Sequence, residues 1–240
     1  MGLTVAVGLF AQNLVEAELD DEGLIEEPFL LVNEVLAECG MPPHEEPRRI
    51  SHDDYFESQM WGYNGLHALR RLAAHLHMNG TLPEPVVYGA YAEDPIYVEF
   101  NQMHERALSG STRTGLFSLF KKSPAKPSFQ HLVMHSDAEG FYLPRDFEHV
   151  IVDWTEPQRP GLGMMIGSSQ RLLHECRSLA AAIDLPDALD IEADEFLALL
   201  ENPSTTGPAW TRFAVEAHSL TNLIAATHAS IRLEAAIQFT

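Results

Sequence analysis

The sequence predicts an α/β (α+β) fold, a mostly antiparallel sheet packed by several helices, with a long helix at the C-terminus. Three observations predict it. Short apolar runs bounded by turn residues recur at 4–10, 141–143 and 150–153, the pattern of strands. Apolar residues at three- and four-residue steps mark helices over 28–40, 64–77, 168–183 and 209–237. At 240 residues with 45% hydrophobic content, the chain is long enough to bury a core as one domain spanning 1–240.

Residues 4–10 alternate Val and Ala with Gly and read as the opening strand. Seven acidic residues follow (Glu16, Glu18, Asp20, Asp21, Glu22, Glu26 and Glu27), so this stretch is a solvated connection or a helix start. Pro28 suits a first helical turn, and Phe29, Leu31, Val32, Val35 and Leu36 line a helix that stops at Gly40. Residues 41–47 contain three prolines and cannot extend it, because proline lacks the backbone donor. A second helix turns Leu66, Leu69, Leu72, Ala73 and Leu76 inward, with Asn79-Gly80 as its C-cap. Residues 86–91, 96–100 and 129–135 are expected as further strands. A helix starts at Ser168 or Ser169 and runs to Ile183, and a shorter one covers 192–200. After Pro203 and Gly207-Pro208, a long helix from Ala209 to about Ile237 carries Trp210, Phe213, Ala217, Leu220, Ile224 and Ile231.

The formal charge of −20 excludes a phosphate-contacting role, which needs clustered Lys and Arg, so no nucleic-acid partner is expected. It fits steering toward a basic protein partner. Cys39 and Cys176 each sit in a helical pattern and read as small buried hydrophobes. Residues 1–8 lack the basic region of a signal peptide and no apolar run approaches a membrane span, so the protein is expected to be cytoplasmic. Arg far outnumbers Lys, and with abundant Ala and Leu this suggests a bacterial source. All three lysines (Lys121, Lys122 and Lys126) fall with Arg113 in 109–127, interleaved with Leu116, Phe117, Leu119 and Phe120. This reads as a surface insertion. The alternative, a membrane anchor or docking lid, is opposed by the acidic remainder of the chain.

The densest polar cluster lies at 131–140. In an extended chain His135, Asp137 and Glu139 share one face, because strand side chains alternate. His-x-Asp is a spacing found at non-haem iron sites, and His131 lies on the same face. A divalent metal held by His131, His135 and Asp137, with His149, His174, His218 or His228 completing the set, is therefore one reading. The other is a hairpin turn over 136–140, in which Asp137 bonds following amides and Gly140 takes a left-handed conformation. In that reading no cofactor is needed, and Ser136 with its neighbours contacts a ligand or partner, or nothing.

A second cluster, Gly161 to Ser169, enters a helix. Helix N-termini attract anions, so Gly167, Ser168 and Ser169 are candidate ligand residues. The glycine spacing misses the dinucleotide pattern by one residue, no Lys follows as in a phosphate loop, and a serine here also serves as N-cap. The group Ser51, His52, Asp53, Asp54 and Tyr55 reads as a helix start, and His218 and His228 as structural residues of the last helix.

The run from His131 to Phe147, containing His-Ser-Asp-x-Glu-Gly-x-Tyr-Leu-Pro-x-Asp-Phe, resembles a motif of an uncharacterised bacterial protein family. So do the stretch from Ile166 to Glu175, with Gly-Ser-Ser-x-x-Leu-Leu-x-Glu, the opening residues 1–8 and residues 40–47. The resemblance covers most of 1–183 and transfers no activity. In its acidic, motif-poor character the chain is also similar to immunity proteins of bacterial toxin systems. The expected function is an acidic cytoplasmic protein-interaction module of immunity-like type. The alternatives are a metal-assisted enzyme using the cluster at 135–139 and a protein binding a small ligand or anion between that cluster and 167–169.

Overall fold

The last residues of the chain, expected as the end of a long helix, form an inner strand of the sheet. The computed structural model describes residues 3–16, 22–86, 91–111, 129–136, 139–153 and 165–240. Its strands are β1 (Thr4–Val7), β2 (Phe56–Gln59), β3 (Phe141–Leu143), β4 (Ile151–Val152), β5 (Met165–Ser168) and β6 (Ile237–Phe239). They lie in the order β2-β1-β6-β3-β5-β4. Four neighbouring pairs are antiparallel, and β3 with β5 is parallel. The α+β expectation, with a mostly antiparallel sheet, therefore holds.

The helices among the described residues are α1 (Leu9–Glu16), α2 (Glu22–Glu38), α3 (Gly62–Asn79), α4 (Pro95–Ser111), α5 (Gln130–Val133), α6 (Ser169–Ala182), α7 (Asp194–Glu201), α8 (Ala209–Arg212) and α9 (Ala214–Leu233). Strand alternation sorts them into layers. Val5, Val7, Tyr142, Ile237 and Phe239 pack with α3, α6 and α9 on one face of the sheet. Phe141, Leu143, Ile166 and Ala236 pack on the other face with Phe10 of α1 and Phe29, Val32, Val35 and Leu36 of α2. Gly65 marks a close approach of α3 to α9, since a Cβ there would lie 2.4 Å from Ser219 Oγ.

Several elements depart from sequence expectation for identifiable reasons. Residues 96–100 belong to α4 rather than to a strand. Asp94 Oδ1 accepts the amides of Ile96 (2.9 Å) and Tyr97 (3.3 Å), and Pro95 occupies the first turn, a helix-start pair that outweighs the strand-like Ile-Tyr-Val. Pro28 lies inside α2, which begins at Glu22, instead of in its first turn. The long C-terminal helix is broken at Phe213 and ends at Glu234, which turns left-handed at φ 56°. Ala235 then donates to Ser230 O at 3.2 Å, and both carboxylate oxygens of Glu46 accept the Ala236 amide at 2.9 and 3.1 Å. Those bonds lead the chain into β6, and Thr240 just beyond it exchanges backbone bonds with Thr4. The expected strand over 86–91 falls partly at 87–90, and the insertion at 109–127 falls almost wholly at 112–128; both stretches lie outside the described residues, as do 17–21 of the acidic run.

Because Ile237 is fully buried between β1 and β3, Ile237→Ala is expected to lower unfolding stability by about 2–5 kcal/mol. Deletion of 237–240 is expected to abolish cooperative melting followed by circular dichroism. A truncated chain melting at the full-length temperature would contradict the central place of β6.

Candidate functional site

Two places merit comparison: the motif cluster singled out by sequence, and a surface run of exposed carboxylates. The motif segment is not a strand. Phe129 turns left-handed at φ 51° and starts α5, so the extended run into His135 from which a shared face was expected does not form. Nor is there a hairpin, because β3 pairs with β5 and β6 and not with the preceding segment. Gly140 does take positive φ, at 93°. Asp137 lies outside the described residues.

The helix forms because a partner from α6 satisfies its first amides. Glu175 Oε1 accepts the amide of His131 at 3.2 Å, and Oε2 that of Leu132 at 2.8 Å. The favour is returned at the start of α6. His131 Nδ1 accepts the amide of Ser168 at 3.0 Å, which makes Nε2 the protonated nitrogen, aimed at Glu148 O at 3.3 Å. Arg70 closes the other end of α5 by donating to Leu132 O (2.9 Å) and His135 O (2.7 Å).

Tyr142 sits at the centre of this cluster. Its hydroxyl donates to His131 O at 2.7 Å, and its ring stacks on His135 at 3.9 Å between centroids. The His135 nitrogens face Ser136 O at 3.1 Å and Phe141 O at 3.2 Å. Gly167 lies against the same ring, where a Cβ would meet it at 2.3 Å. Ser168 Oγ caps α6 by accepting the Arg171 amide at 3.2 Å, and donates to Arg145 O at 2.6 Å. Ser169 Oγ bonds Ser230 Oγ at 2.8 Å and donates to Tyr142 O at 3.3 Å. The two predicted segments thus converge, but on each other. His131, His135, Ser168 and Ser169 are all buried, whereas Glu139 is exposed and bonds only locally, its amide donating to Ser136 Oγ at 3.3 Å.

This geometry removes the extended run on which the metal reading rested. His131 has both nitrogens committed to the backbone, and no group of three or more His, Cys, Asp or Glu among the described residues could hold a metal. At the α6 N-terminus the Ser168 amide is taken by His131 and the Arg171 amide by Ser168 Oγ, and both serines are buried. Gly161 and Gly163 lie outside the described residues. The remaining histidines are dispersed. His149 Nδ1 faces Gln130 Oε1 at 3.2 Å and His228 faces Arg177 at 3.2 Å, while His218 packs beneath α7. Asp54 pairs with Arg232 and accepts from Ser51 Oγ at 2.7 Å in a short 3-10 turn.

Burial sets the protonation of the cluster. It pushes the Glu175 carboxyl up to about 8, against the opposing effect of the backbone bonds it accepts, and holds His131 down to about 4. Glu216 on α9 is likewise raised by burial, to about 7.

A run of exposed charge lies elsewhere. Asp184, Asp187, Asp190, Glu192, Asp194, Glu195 and Glu201 are all exposed, and residues 178–211 contain no Lys, Arg or His. The segment is held to the body by Phe196 and Leu200, both buried. Phe196 lies between Trp210 (6.3 Å, rings 19° apart) and His218 (6.2 Å, 17°), and His218 meets Trp61 edge-on at 6.1 Å. An aromatic stack therefore anchors the ridge from below and leaves its carboxylates outward. The eight residues of α7 span about 12 Å, so only its neighbouring charges lie within the Debye length of about 8 Å at physiological salt. Sequence reading found the helix here from its apolar period. The cation-free run on either side was the missed signal.

A family model described as Putative DNA-mimic protein matches residues 1–239. No curated protein and no solved structure matches the chain. The family description overturns the immunity-like, metal-enzyme and ligand-binding expectations. It also corrects, in form, the expectation of no nucleic-acid partner, since the family description names DNA as what is mimicked.

Two outcomes are expected from the buried cluster. Raised carboxyls favour the folded state fully below their ordinary 4.5, and that contribution is lost as pH climbs toward 8; depressed His131 contributes fully above 6.5 and loses this as pH falls toward 4. The trends oppose one another from 4.5 to 6.5. Above 6.5 only the carboxyl trend remains, so Glu175 lowers stability by about 2 kcal/mol between pH 6.5 and 8 at 1.36 kcal/mol per unit. Urea unfolding across that range should show this fall, reduced in Glu175→Gln; equal slopes would refute the assignment. Gly167→Ala, driven into the Tyr142 ring, is expected to cost about 1–3 kcal/mol in the same measurement.

Proposed function

Because the chain belongs to the family described as Putative DNA-mimic protein, we propose that it occupies the DNA-binding surface of a DNA-binding protein by presenting carboxylates where that surface expects phosphates. The family match over 1–239, on a chain with 35 acidic against 15 basic residues, carries this reading. DNA-binding surfaces hold Lys and Arg placed to neutralise one negative charge per ~1.7 Å of duplex, and much of their affinity comes from that neutralisation. A rigid array of carboxylates offers the same cations an alternative partner. Such an array repels DNA itself, so the protein competes with DNA without binding it.

The ridge from Asp184 to Glu201 is the surface best suited to the task. Its seven carboxylates are exposed, no cation interrupts them in sequence, and the stack through Phe196 holds α7 to the body. Prior ordering matters, because a charged surface fixed before binding loses little entropy on docking. The exposed Leu197 on the same helix adds an apolar contact within the acidic face.

The test is competition on immobilised DNA. DNA-binding proteins of a bacterial extract are retained on DNA-cellulose at low salt, and the purified protein is then passed over them. Release of a discrete DNA-binding protein is expected, diminishing steeply as salt rises. A variant carrying Asp187→Asn, Asp190→Asn, Glu192→Gln, Asp194→Asn and Glu195→Gln, with an unchanged melting temperature, should release it about tenfold less effectively or worse. Retention of every protein on the column, or direct binding of this chain to the DNA, would overturn the proposal. Equal loss from neutralising five exposed carboxylates elsewhere would sink the ridge assignment while leaving mimicry intact.

A further inference from the structure

We draw no further inference here: the strongest candidate, the outer stripe of α2 formed by Glu27, Leu30, Glu34 and Glu38 on the opposite side of the sheet from α7, is an acidic cluster at which nothing among the described residues points to a second partner.

Discussion

The seating of β6 between β1 and β3 is the contact on which the architecture depends. Without it the sheet divides into β2-β1 and β3-β5-β4, each too small to cover its helices. The strand and the residue before it serve both layers at once. Ile237 and Phe239 face the α3, α6 and α9 core, while the adjoining Ala236 faces α1 and α2. Glu46, itself bonded to His44 Nε2 at 2.6 Å, holds the approach to the strand through the Ala236 amide. The C-terminus thereby joins elements made early in the chain to elements made late, and the fold is complete only when the last residues are in place.

The cluster around Tyr142 secures the second half of the sheet by a related principle. Buried helix ends need partners for their free amides, and here two helices supply each other: Glu175 of α6 caps α5, and His131 of α5 accepts from the entry of α6. Ionisable residues do work that neutral caps ordinarily do, and burial shifts both toward their uncharged forms. This accounts for the concentration of polar letters in the motif. Their chemistry is directed at the backbone, which leaves little of it for a ligand.

Cations are few, and two of them, Arg70 and Arg71, are buried. Arg70 and Arg145 donate to backbone carbonyls, and Arg71 joins His75 on Asp94, whose carboxyl is lowered to about 2. Arginines placed this way support the scaffold while neutralising little of the surface. The acidic ridge keeps its field because residues 178–211 hold no cation, and the aromatic stack beneath it supplies the cohesion that like charges oppose. A strongly negative surface on a firmly packed body is the physical combination that imitation of a nucleic acid requires.

The sequence by itself determined the α+β class, most helices, the serine cap of α6, the left-handed Gly140 and the negative charge that family membership interprets. These are local or additive properties: periodicity, capping and composition need no knowledge of distant residues. It also carried the charge ridge, visible as a run without cations, although helical period drew attention away from it. Tertiary structure alone decided that 130–133 coils into α5, because the carboxylate capping it arrives from Glu175, more than forty residues away. It alone decided that the chain leaves α9 for β6, since Glu46 and the flanking strands provide the bonds that a longer helix would forgo. A short apolar segment reads equally well as helix or strand, and the partner that satisfies its backbone settles which it becomes.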